Sequence, residues 1–101
     1  MVLIRCQLVV LDAGAFPALV EARFHDADGR PVRVVDKEPI FAGDDDPPGQ
    51  GWVGGTELRR EGGGAEARVW VSLASPWSLV TTDGEETVAV WARDVTVSTR
   101  G

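Results

Sequence analysis

The sequence predicts an all-β protein: a single domain over residues 1–101, folded as an antiparallel sandwich or small open barrel of about six strands. Three observations carry that expectation. Apolar and polar residues alternate with a period of two along several short runs, which lets an extended chain bury one face. Gly- and Asp-rich turn signals separate those runs at intervals of roughly ten residues. Val dominates the aliphatic residues, and twelve Gly and six Pro supply turns. One segment allows an alternative. A short helix at 16–24 would make the fold α+β.

Val2 to Leu11 is apolar at nearly every position, so it reads as a central strand. Val2, Ile4, Cys6, Leu8 and Val10 share one face, which points Cys6 into the core. In 16–24, Phe16, Leu19, Val20 and Phe24 fit a helical stripe, whereas Val20, Ala22 and Phe24 alternating with Glu21, Arg23 and His25 fit a strand. Asp26-Ala27-Asp28-Gly29 favours the strand. It is a hairpin turn, and Val32-Arg33-Val34-Val35 behind it is a strand, so 18–25 should pair with 31–36.

The stretch Val34–Val53 departs from this rhythm. Pro39 ends any ladder, and Ile40-Phe41 reads as an apolar anchor. Asp44 to Gly51 holds no large apolar residue and reads as a surface loop. Trp52 to Arg60 resumes a strand. Its Gly54-Gly55 pair points to a bulge or to a close approach of another backbone. Glu66 to Leu73 alternates, with Ala67, Val69, Val71 and Leu73 inward. Ser75 to Val80 is a second irregular connection, and Thr87 to Ser98 is a last strand with a bulge expected near Arg93-Asp94. Trp70 and Trp91 lie opposite the apolar face of their strands. They should cover a second core layer, or else form an exposed aromatic patch.

The chemistry open to the chain is narrow. Its net charge of −6 argues against nucleic acid and anionic membranes as partners, and suits a basic protein. Nine of its ten basic residues are Arg, with Lys37 the exception, which matches a high-GC coding bias. Cys6 is the single cysteine, so no internal disulfide forms, and a cytoplasmic location is expected. No signal-peptide core and no membrane-length apolar run are present. His25, the single histidine, alternates outward beside a turn, so it reads as a surface residue and not a catalytic base. No metal site and no cofactor are expected. Asp26-x-Asp28-Gly29 opens like a calcium loop but lacks the later ligands, and a hairpin turn accounts for it. Gly62-Gly63-Gly64 is followed by neither Lys nor a helix start, so it is no phosphate cradle.

Val35-Asp36-Lys37-Glu38-Pro39-Ile40-Phe41 is followed by a proline-rich stretch to Gly51-Trp52-Val53, then by Ser75-Pro76-Trp77, then by a Gly84 turn before the last strand. In that order these segments resemble a group of small bacterial proteins with a V-D-K-x-P-(I/V)-F signature. The resemblance covers most of the chain. It implies an all-β single domain and no activity. By analogy of build alone, small acidic bacterial proteins of this kind include immunity proteins that cap a toxin.

The function expected is that of a small acidic binding protein without catalytic activity, of immunity type in its most concrete form. Asp44, Asp45, Asp46, Trp52, Pro76 and Trp77 are the candidate binding residues, facing a basic partner. The alternative is a ligand-binding or enzymatic barrel with its site between the 37–51 and 75–86 connections. A third reading is self-association through an exposed edge or through the Trp70/Trp91 face.

Overall fold

A computed structural model of the chain describes residues 1–14, 17–37 and 49–97. The described residues form an antiparallel all-β fold of seven strands. These are β1 (Val2–Asp12), β2 (Leu19–His25), β3 (Pro31–Lys37), β4 (Gly49–Glu61), β5 (Arg68–Ser72), β6 (Thr87–Trp91) and β7 (Val95–Val97). The sheet runs in the order β3-β2-β1-β4-β5-β6, and β7 returns to pair with β1.

β1 is the organising strand. Along one edge it pairs with β4, from Val2 opposite Gly55 to Leu8 opposite Gly49. Its other edge is divided. β7 takes Val2–Ile4, and β2 takes the stretch from Gln7 to Asp12. The return of β7 curls the sheet into an open barrel. The β2–β3 hairpin closes part of the remaining opening. The Ala27 N–H donates to the Ala89 carbonyl at 2.8 Å, and the Thr82 N–H donates to the Arg33 carbonyl at 2.9 Å. Each bond satisfies a backbone group on a strand that would otherwise lie open at the sheet edge.

The inward residues form one core. Ile4, Leu8, Val20, Val34, Val53, Val69, Val71, Leu73 and Val90 are fully buried, and Cys6, Phe24 and Val88 join them. The alternation read in the sequence is thus the alternation that fills the barrel. The 18–25/31–36 hairpin is present, and 19–25 is strand and not helix.

Two expectations are corrected, and one left open between two readings is decided. Gly49, Gln50 and Gly51 belong to β4 and not to a loop, and Gly51 lies buried opposite Cys6. A run without apolar side chains can still be a strand where its glycines lie against a packed neighbour. The last strand is not a single bulged one. A 3-10 turn at Ala92–Asp94 breaks it, and that turn redirects the chain from β5 toward β1. The register shift of β4 falls between Glu57 and Arg59 and not at the glycine pair, which serves close approach instead. No helix among the described residues is long and apolar enough to cross a membrane.

Candidate functional site

Three of the six candidate binding residues can be located together. Trp52 and Gly54 share the outer face of β4, one pleat repeat apart. The 73–80 connection folds back over this face. The Thr56 hydroxyl donates to the Ser75 carbonyl at 3.1 Å, and the Trp77 indole N–H donates to Met1 Sδ at 3.2 Å. Gly54 leaves the room for this. A Cβ there would sit 3.1 Å from Met1 Sδ and 3.6 Å from Trp77 Nε1. Ser75-Pro76 is a cis peptide, and both residues are exposed. Trp77 is therefore a fixed side chain that still leaves 38% of its surface to solvent. Trp52 is half-buried, with the Arg5 guanidinium 6.0 Å above its ring. Asp44, Asp45 and Asp46 lie outside the described residues.

The remainder of the 73–86 connection is built as firmly. Leu73 and Leu79 are buried, and the Leu79 N–H donates to the Leu73 carbonyl at 2.9 Å. The buried Thr81 hydroxyl accepts the Glu85 N–H at 3.0 Å, and Gly84 takes the positive φ of 86° that the turn requires. Val80 is 45% exposed, and Asp83, Glu85 and Glu86, further along the same connection, are exposed too.

Trp70 and Trp91 do not cover a second core layer. They are half-buried on the outer face, beneath arginines. Arg59 lies 4.1 Å above the Trp70 ring, Arg68 lies 5.9 Å from Trp70 and 5.6 Å from Trp91, and Arg93 lies 5.8 Å from Trp91. Cation–π contact and the arginine stems shield these rings without enclosing them. Arg68 also donates to Asp28 at 3.1 Å, which ties the β2–β3 turn to β5.

A second feature was not legible as a site. Where β2 and β7 share the edge of β1, neither pairs with Arg5 or Cys6. Successive residues of a strand turn their backbone groups to opposite edges. One of these two therefore turns its N–H and C=O into the gap. A groove of about 760 Å³ opens there. Its polar walls come from Arg5, Gln7, Arg23, Arg33, Gln50 and Asp94, with His25 beside them. Ile4, Phe24 and Val32 contribute from the inner face. The signal in the sequence was Arg5, Gln7, Arg23 and Arg33 alternating outward on three strands, and Gln50 joins them from a fourth. Only the register brings them together.

Two acids near this region are already engaged. Glu21, expected to point outward, is buried and paired with Arg23. Asp26 is buried and fully used by its own turn, so the calcium-like spacing is a turn motif. Among the described residues, no group of three His, Cys, Asp or Glu side chains could hold a metal ion.

Cys6 lies beside the groove but is not a nucleophile in waiting. Burial pushes its thiol up to about 12, against a smaller pull from a hydrogen bond with the Gly51 backbone. At neutral pH the thiolate is scarce. A thiol-specific dye should label the native chain roughly 100-fold more slowly than the denatured chain, because only unfolding releases a Cys of ordinary reactivity. Fast labelling in native buffer would contradict this burial. Comparison of the chain with protein-family models, with curated proteins and with solved structures gave no match in any of the three.

Proposed function

We propose that this chain is a non-catalytic binding module that engages a basic protein partner through the 73–86 connection. The observation that supports this most is Trp77. It is a large exposed aromatic whose position is already fixed by Met1, Gly54 and the Thr56–Ser75 bond, so little side-chain freedom remains to be lost on binding. Val80 is a second exposed apolar residue of the same connection, and Asp83, Glu85 and Glu86 give that connection negative charge. Buried aromatic anchors with a charged rim are the usual anatomy of a protein contact. Asp44, Asp45 and Asp46 add charge that steers a basic partner and raises its association rate. The most concrete form of this role is immunity: the partner is a toxic protein, and binding covers its active surface.

The test uses the product of an adjoining gene that encodes a basic protein. Binding to the purified chain should weaken at least about 30-fold in Trp77→Ala, the loss expected of a hot-spot aromatic. Charge reversal of Asp44, Asp45 and Asp46 to Lys should slow association and flatten its salt dependence, leaving dissociation nearly unchanged. Absence of binding at physiological salt, or binding that neither variant alters, would overturn the proposal. The immunity form stands only if the chain also abolishes the partner's toxicity.

A further inference from the structure

A different observation carries a second site, on the outer face of the barrel wall beside Trp52. The registers place Gln50 beside Gln7, Gln7 beside Arg23, and Arg23 beside Arg33, so four strands contribute one unbroken polar row. Arg5 lies one pleat repeat along β1 from Gln7, on the same face, with its guanidinium over Trp52. This row lines the groove in the gap between β2 and β7.

Charge makes the row unusual. The chain carries a net charge of −6, yet among the described residues three of its nine arginines line this groove, against a single carboxylate, Asp94. Arg23 and Arg33 are direct cross-strand neighbours. Like charges in that position weaken a strand pair unless something between them neutralises the repulsion. Glu21 answers Arg23 alone. Among the described residues neither Arg33 nor Arg5 makes an ion pair, and the Arg5 guanidinium lies over an aromatic ring. Guanidinium groups present paired N–H donors at the spacing of two oxyanion oxygens. The amides of Gln7 and Gln50 add neutral donors, and the unpaired edge of β1 adds one backbone N–H.

We infer that this groove binds a small oxyanion, a phosphate- or carboxylate-bearing molecule held between Arg33, Arg23 and Arg5. Its volume of about 760 Å³ lies in the range of small-molecule sites.

The experiment is a nuclear magnetic resonance titration of the whole chain with inorganic phosphate and, separately, with succinate. Ionic strength is held constant with sodium chloride. Saturable shifts are expected at the backbone amides of Gln7, Arg23 and Arg33 and at the arginine Nε–H signals. Saturation by both anions identifies a general oxyanion site, and saturation by one names the class. Arg33→Gln should weaken binding about tenfold or more, because it removes one charge-assisted pair. Arg60→Gln, on the far end of β4, should leave binding unchanged. The spectrum of each variant reports directly whether it is folded. Shifts that track chloride equally, that never saturate, or that persist undiminished in Arg33→Gln would overturn the inference.

Discussion

Gly55→Ala should destabilise the protein by about 3 kcal/mol, the upper part of the range for overpacking a filled interior. A Cβ at Gly55 would sit 2.4 Å from Val71 Cγ1 and 2.7 Å from the Ser72 carbonyl oxygen. Val71 is fully buried, and the carbonyl belongs to the paired backbone of β5. Neither can retreat without opening the β4–β5 ladder or emptying its place in the core. Chemical denaturation read by tryptophan fluorescence should give the loss directly, and for a chain of this size the melting temperature should fall by roughly 15 °C. Gly54→Ala is the internal control. Its Cβ would meet the end of a flexible Met side chain, which can yield, and would only touch the edge of Trp77 at ordinary contact distance. Its cost should stay under about 1 kcal/mol, part of it recovered from the lower entropy of the unfolded chain. Equal losses at the two glycines would refute the close packing of β4 on β5.

That contrast shows what the sequence could and could not convey. The pair Gly54-Gly55 announced a close approach. Alternation within β4 assigned the two residues to opposite faces. It could not say that one would face Val71 and the other Trp77, because the partner of a strand is fixed by pairings remote in sequence. The core was more legible. Val2, Ile4, Cys6 and Leu8, and then Val69, Val71 and Leu73, lie inward as their period of two requires. The β2–β3 hairpin was legible from Asp26 to Gly29, since a tight turn fixes the register of what flanks it. The end of the last strand was not. Period alone cannot separate a bulge from the 3-10 turn at Ala92–Asp94. The groove was illegible for the same reason as the Val71 contact. Gln7, Arg23 and Arg33 are ordinary outward residues until β1, β2 and β3 are laid side by side. Trp77 was singled out as a binding residue, but its fixing by Met1 spans 76 residues of the chain.

Asp26→Ala should cost about 2 kcal/mol, most of it from backbone donors left without a partner. Asp26 Oδ1 accepts the Asp28 and Arg30 N–H groups at 3.0 and 2.9 Å, and Oδ2 accepts from Arg30 Nε at 3.0 Å. The ion pair is the smaller share. The Arg30 side chain is 66% exposed, so water screens it and replaces its partner when the carboxylate is removed. Asp26→Asn keeps an oxygen for the two backbone donors and loses the charge, so it should cost roughly half as much.

The pH dependence follows from the same contacts. Burial alone would raise the Asp26 carboxyl, but hydrogen bonds from the Arg30 and Asp28 backbones, and the bond and charge of the Arg30 side chain, hold it below the ordinary carboxylate value. A carboxyl lowered in the folded state binds its proton more readily when unfolded. Its contribution is therefore fully present above the unfolded value, near 3.9 for an Asp. It is lost as the pH falls through the lower folded value. The wild-type chain should lose stability in this acid window more steeply than Asp26→Asn, and the two curves should run parallel above it. Curves that stay parallel down through the window would show that Asp26 carries no such linkage.

The divided edge of β1 also governs timing. β1 comes before all of its partners in the sequence, and among the described residues its Val2–Ile4 edge pairs with Val95–Val97 alone. Its β4 edge must wait for Gly49–Gly55. Its Gln7–Asp12 stretch meets β2 early, but its Val2–Ile4 stretch waits longest. Pairings between the two ends of a chain close the largest loops and form late, which places such folds in the slow range of roughly milliseconds to seconds. Until β7 arrives, an apolar strand stands open to any other strand that meets it. Overproduction at high temperature should therefore divert newly made chains into aggregates, even though the finished barrel has covered that edge.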